Sequence, residues 1–150
     1  MLSQPNITVT PFEREDIPAL AEIEREEFSI PFKEKDFEDL YNTSYSYVLV
    51  ARQGEAVVGY VSFNIIIDEC SIINFATKNE FKRQGVGKKL MDTLISHCKG
   101  CGVRKVFLEV RVSNAPAIAL YEKYGFEGVG ISKNHFSAPR EDAILMNLEF

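Results

Sequence analysis

Between Cys70 and Tyr124 the spacing of apolar residues changes period three times, which restricts the fold more than any other feature of the chain. Cys70 to Thr77 reads as a strand. From Gly85 the apolar residues recur every four positions, at Val86, Leu90, Leu94 and Cys98, and Gly100 and Gly102 end that amphipathic helix. Arg104 to Val112 then alternates: Val106, Leu108, Val110 and Val112 fall on one side, Lys105, Phe107, Glu109 and Arg111 on the other. Asn114 is a favourable N-cap, Pro116 is tolerated in a first helical turn, and Gly125 stops a helix that reaches Tyr124. A strand, a helix and a second strand in that order predict a crossover between parallel neighbours.

The flanking segments add antiparallel structure. Ile7-Thr8-Val9-Thr10 alternates as a first strand. A helix entered at Asp16-Ile17 carries Ile17, Leu20, Ala21 and Glu24 at helical intervals, with Ile23 and Phe28 widening its apolar side. Pro31 interrupts, and a short helix spans Glu34 to Tyr41. Tyr45 to Ala51 and Ala56 to Ile67 flank a hairpin turn at Gln53-Gly54-Glu55, and Asp68-Glu69 turns again. Phe126 to His135 and Ala143 to Glu149 are the last strands. The order β-α-α-β-β-β-α-β-α-β-β predicts an α/β (α+β) fold with a mixed sheet of about seven strands. A length of 150 residues fits one domain over residues 1–150.

Some function classes are excluded as expectations. No apolar run approaches the ~20 residues that cross a bilayer, so no membrane association is expected. Met1-Leu2-Ser3-Gln4-Pro5 lacks the basic start and apolar core of a secretory signal, which places the protein in the cytoplasm. A net charge of −5 argues against nucleic acid as a partner. The charge is uneven: Glu13 to Asp39 holds eleven acidic and four basic residues. That stretch is either a solvated helix surface or an acidic rim that attracts a basic substrate. Cys98 and Cys101 form a Cys-x-x-Cys pair, but at a helix end, and no second pair completes a zinc site. With Cys70 they read as small buried or incidental residues. His97 and His135 lack ligand spacing, so no metal is expected.

The strongest local motif is Lys82-Arg83-Gln84-Gly85-Val86-Gly87-Lys88, between a strand and a helix. A helix N-terminus has unpaired N–H groups and a positive dipole end, and two glycines allow close approach of a phosphate. It is not a Walker loop, because Lys82 and Lys89 replace the required glycine and hydroxyl residue. It is not a dinucleotide fingerprint, because Leu90 replaces the third glycine. Taken alone, it is equally an anion cradle or a glycine turn capping a helix.

In its setting this segment resembles the acetyl-CoA motif Q/R-x-x-G-x-G/A of the GNAT superfamily of N-acetyltransferases, with Lys82 in place of Gln or Arg. Leu108-Glu109-Val110-Arg111-Val112-Ser113-Asn114 through Tyr121-Glu122-Lys123-Tyr124-Gly125-Phe126 is similar to the block LEVRxSNxxAIxLYExxGF of the RimI-type members, the ribosomal-protein-alanine N-acetyltransferases. Arg140-Glu141-Asp142-Ala143-Ile144 resembles their REDAI, and Ile30-Pro31-Phe32-Lys33 their PW(S/T) loop with Phe32 for Trp. The resemblance runs from about Ile7 to Leu148 and implies a single GNAT-type domain with helices on both sheet faces.

The resemblance also implies roles. Glu109 matches the general base and Tyr121 the general acid. Phe75, Ala76 and Thr77 match the strand edge that pairs with the pantetheine arm. Arg83, Gln84, Gly85, Val86, Gly87 and Lys88 match the pyrophosphate loop, and Asn114 a cofactor contact. Phe32, Asn134 and Arg140 are the candidate acceptor contacts. Each has a plainer reading: Glu109 as a polar residue of an alternating strand, Tyr121 as a core aromatic, Asn114 as an N-cap alone. The implied activity is transfer of an acetyl group from acetyl-CoA to a protein N-terminus, that of an alanine-starting ribosomal protein. An α-ammonium must lose a proton before it attacks, and a carboxylate can take it. The departing thiolate needs a proton, which a tyrosine hydroxyl can give. A small amine or lysine side chain as acceptor, and a non-catalytic acyl-CoA-binding module, are the competing readings. One departure bears on the acceptor: the family's Asn-Tyr-Tyr reads Asn134-His135-Phe136 here, without either hydroxyl.

Overall fold

The structure, a computed structural model, describes residues 6–150; the reading of Met1 to Pro5 concerns a segment outside the described residues. The chain runs β1 (Ile7–Pro11), α1 (Ile17–Glu27), α2 (Glu34–Tyr41), β2 (Ser46–Gln53), β3 (Ala56–Ile66), β4 (Glu69–Thr77), α3 (Val86–Gly100), β5 (Lys105–Arg111), α4 (Ala115–Lys123), β6 (Glu127–Ser137) and β7 (Arg140–Glu149). The strands form one seven-stranded sheet in the order β1-β2-β3-β4-β5-β7-β6. All neighbours are antiparallel except β4 and β5, which the α3 crossover joins in parallel. This is the expected mixed α/β sheet, with helices on both faces.

The β4–β5 ladder is short. It pairs Glu69 with Lys105, Cys70 with Val106 and Ser71 with Phe107, and then ends. Beyond it β4 stays on β3 as far as Thr77, while β5 stays on β7 as far as Arg111. The β3–β4 register shifts where Ser62 faces Asn74 but Phe63 faces Ile72, leaving Ile73 as an extra residue on β4. Such a bulge bends its strand and increases local twist. Ser62 Oγ accepts a hydrogen bond from Asn74 N (3.1 Å), which fixes the bend from the β3 side.

Alternation divides the core between two layers. On one face α3 buries Val86, Leu90, Met91, Leu94 and Cys98 against Val58, Val61, Phe63 and Cys70. On the other, Ile17, Leu20, Ala21 and Ile23 of α1 and Phe37 of α2 cover Val48, Val50, Tyr60 and Ala76. Cys70 and Cys98 are buried and Cys101 is exposed. Among the described residues no helix is long and apolar enough to cross a membrane.

The acidic stretch has no single role. Most of its side chains are solvated, but Asp16 is buried at the start of α1 and held by the Arg52 fork at 2.8 and 2.6 Å. Burial opposes the Asp16 charge, yet Arg52 and the N–H of Glu13 bring its carboxyl below the usual range.

The ends of β6 and β7 differ from expectation. They continue to Ser137 and Arg140, so a two-residue turn, Ala138-Pro139, replaces the predicted longer loop. This stretch is polar and exposed and lacks strand alternation. Its pairing is also irregular: Lys133, Asn134 and His135 together oppose Asp142 alone.

Asp16→Asn should leave the Arg52 charge without its partner. Loss of one member of a buried pair costs about 3 kcal/mol. Urea unfolding should show a lower midpoint with an unchanged slope. An unchanged midpoint means the pair contributes nothing to the attachment of α1.

Candidate active site

Where β4 and β5 part, a cleft of about 530 Å³ opens. Its walls come from Ile72 to Phe75 of β4, Leu108 to Arg111 of β5, Tyr121 of α4, the loop after α1 and the β6–β7 turn. Leu108 and Val110 belong to the core on the α3 face, so by alternation Glu109 and Arg111 point to the opposite face. Both sets line the cleft, which therefore passes through the sheet.

On the α3 face the glycine motif forms the first turn of α3. Gly85 is the N-cap, with φ +84°, and a Cβ there would meet nothing within 4 Å. Arg83 is also left-handed, with φ +64°. Lys89 N bonds back to Gly85 O (3.0 Å), and helix geometry leaves the N–H groups of Val86, Gly87 and Lys88 without intrahelical partners. Arg83, Gln84 and Lys88 are exposed, with Lys88 bonded to Asp92 (3.0 Å). Tyr124 Oη donates to Asp92 Oδ1 (2.5 Å) and ties α4 to this turn. A Cβ on Gly87 would lie 3.5 Å from the Phe75 ring, so Phe75 adjoins both the turn and the cleft. Ala76 and Thr77 continue β4 past the cleft lining, Ala76 buried and Thr77 half-buried. These residues suit a phosphate-bearing ligand: free N–H groups, open space at Gly85 and flanking bases.

Tyr121 is buried, edge-on to Phe75 at 6.2 Å, and lines the cleft. Burial pushes its hydroxyl up to about 12, so it stays protonated at neutral pH. Asn114 also lines the cleft, and its side chain caps α4 by accepting from Ala117 N at 3.3 Å.

On the opposite face Glu109 is half-exposed, and His135 Nε2 lies 2.5 Å from its Oε2. The ring reaches it because of the β6 irregularity. Asn134 takes φ +53° and donates its N–H to Asp142 Oδ1 (2.8 Å), which turns the following residue into the cleft. Phe136 meets the His135 ring edge-on at 4.8 Å and lies under the Arg111 guanidinium at 4.3 Å. Arg111 in turn donates to Pro139 O (2.8 Å) and Glu141 Oε1 (3.2 Å). Phe32 lines the cleft from the loop after α1. Asn134 and Arg140 are exposed and lie beside the cleft, outside its lining.

Glu24 of α1 is a further polar cleft residue, and the sequence reading gave it no role. It is almost wholly buried, accepts from Tyr60 Oη, from Phe32 N (2.9 Å) and from Asn74 Nδ2 (3.2 Å), and so ties the Phe32 loop to bulged β4. Burial holds its carboxyl above the usual range despite these donors. A visible signal was its place on the apolar stripe of α1, where a carboxylate must be partnered. The contact of His135 with Glu109 had no such signal, because 26 positions separate them in the chain. Among the described residues no group of three or more His, Cys, Asp or Glu side chains is arranged to hold a metal ion.

The chain is similar to known proteins over nearly its whole length. The sequence model of the Acetyltransferase (GNAT) family matches residues 17–126. The [ribosomal protein bS18]-alanine N-acetyltransferase of Escherichia coli (strain K12) is 35% identical over 143 residues, 94% of this chain and 96% of that protein. The crystal structure of the ribosomal-protein-S18-alanine N-acetyltransferase from Escherichia coli superposes with a TM-score of 0.89 at 34% identity, covering 96% of this chain and 94% of that one. Ard1 from Thermoplasma volcanium superposes at 0.87 with 29% identity, covering 95% and 97%.

The buried Glu24 carboxyl has a pH signature. Its pKa is raised on folding, so the folded state binds the proton more tightly than the unfolded state. Its contribution to stability is full below the unfolded value and is lost as pH rises through the higher folded value. Glu24→Gln removes that titration. Its stability relative to wild type should therefore improve as pH rises from about 4 toward neutrality. Paired urea titrations across that range test this; a constant difference rules it out.

Proposed function

The chain belongs to the acetyltransferase (GNAT) family, and we propose that it transfers the acetyl group of acetyl-CoA to the α-amino group of a protein N-terminus, that of an alanine-starting ribosomal protein. The supporting observation is the cleft that passes through the sheet, with Tyr121 and the α3 turn on one face and Glu109 on the other. The named activity of the 35%-identical Escherichia coli relative, over nearly the whole chain, supports the acceptor. We read residues 1–150 as one such domain and the cytoplasm as its compartment.

In this reading Phe75, Ala76 and Thr77 hold the pantetheine arm, Arg83 to Lys88 the pyrophosphate, and Asn114 a further contact. Acetyl-CoA, when bound, supplies the thioester that is attacked. Phe32, Asn134 and Arg140 guide the acceptor chain to the Glu109 side of the sheet. Glu109 removes a proton from the α-ammonium. Tyr121 Oη, protonated because it is buried, gives its proton to the departing sulfur. The exposed acids around α1 draw in basic acceptor segments.

Glu109→Gln should lower kcat by about 10²–10⁴-fold, the usual range for a positioned acid–base group, with little change in acetyl-CoA affinity. Wild-type turnover in that variant removes Glu109 from the chemistry. The acceptor is tested by mass spectrometry on two peptides, one with a free α-amine and one with that amine blocked and a lysine side chain free. The blocked peptide should remain unmodified. Equal acetylation of both transfers the reading to a side-chain or small-amine acceptor, which the loss of both hydroxyls at His135-Phe136 would then suit.

A further inference from the structure

His135 occupies a position where the resemblance leads one to expect a tyrosine, and it touches the carboxylate read above as the base. We propose that Glu109 and His135 form one pair, in which the imidazole holds one carboxylate oxygen through Nε2 and so orients the other toward the acceptor amine. The proposal rests on the reading of Glu109 as the base. His135 acts through Glu109 and is thus a positioning residue.

The backbone is shaped to bring this ring to Glu109. Two extra residues are accommodated on β6, and Asn134 adopts a left-handed φ of +53°, a conformation that non-glycine residues seldom take. Phe136 packs against the ring edge, and Arg111, anchored on the β6–β7 turn, holds Phe136 in place. One carboxylate oxygen is engaged by Nε2, which fixes the carboxylate's orientation and leaves the other oxygen for the amine.

In the step, one N–H bond of the ammonium breaks and its proton goes to Glu109. The amine delivers it to the oxygen that His135 leaves free, Nε2 stays on Oε2, and the proton then leaves Glu109 for water. The amine keeps the electron pair with which it attacks, and nothing is oxidised or reduced. Other charges act on the same ring: Arg111 from β5, Glu141 and Asp142 from β7, Lys133 on β6, and Glu24 and Glu27 across the cleft. The test therefore compares variants rather than reading an absolute value.

Two measurements decide the matter. In the first, the His135 ring nitrogens are followed by NMR in wild type and Glu109→Gln. Removing the carboxylate that Nε2 touches should move the Nε2 resonance. An unmoved resonance overturns the pairing, whatever the acceptor proves to be. In the second, kinetics are measured with an amine shown to be acetylated. His135→Ala removes the contact, and kcat should fall roughly tenfold with acetyl-CoA affinity unchanged; His135→Gln, which keeps a hydrogen-bond donor, should recover part of that loss. Added imidazole should restore part of the rate in His135→Ala. A slow Glu109→Gln together with a His135→Ala variant of wild-type rate refutes the positioning role alone. Wild-type turnover in Glu109→Gln refutes the base assignment and the positioning role with it.

Discussion

β4 and β5 share three ladder positions and then diverge, and the cleft exists because of that separation. A parallel pair buried between two helical layers would normally continue to hydrogen-bond along its length, since unpaired backbone groups are costly once removed from water. Here each strand is retained by its outer neighbour, β4 by β3 and β5 by β7, so the sheet survives while its centre opens. The bulge at Ile73 provides the bend, and the side chains of Ser62 and Asn74 stabilise it. The freed edges of β4 and β5 become the walls of a passage between the two faces.

That passage separates two chemical environments. On the α3 face, Gly85 and Arg83 expose the N-terminal amides of α3, and apolar packing around Tyr121 keeps its hydroxyl protonated. On the α1 face the side chains are polar and mutually tied: Glu24 with Tyr60, Asn74 and the Phe32 loop, Glu109 with His135, Arg111 with the β6–β7 turn. In the proposed function, an acyl donor enters from one side and an amine from the other, and the two meet at the gap without competing for space.

The buried Glu24 carboxyl and the Asp16–Arg52 pair show why the acidic segment from Glu13 to Asp39 cannot be treated as one surface. Asp16 is held charged by a bidentate partner, which fastens the start of α1 to β2. Glu24 is burdened by its burial and links the end of the same helix to β3 and β4. Glu27 is paired with Lys82, and most of the remaining acids are solvated. They influence encounter with a charged partner more than they influence the fold.

Much of this architecture was legible in the sequence. The period changes between Cys70 and Tyr124 determined the crossover, the glycines at 54, 85, 102 and 125 marked turns that take positive φ, and Asn114 caps α4 as its position suggested. These are local properties, because apolar spacing and φ preference are carried by neighbouring residues. The exposed polar ends of β6 and β7 were not legible, since their pairing rests on backbone bonds and a two-residue excess rather than on alternation. The His135–Glu109 contact was likewise invisible, as was the use of Glu24 as a tie between α1 and β4. Each joins side chains from different elements, and its geometry depends on where β5 parts from β4 and how far β6 bulges. Sequence alone thus determined the element order, the family resemblance and the candidate residues. Tertiary structure decided which of those residues face one another, because a one-residue bulge redirects every side chain that follows it.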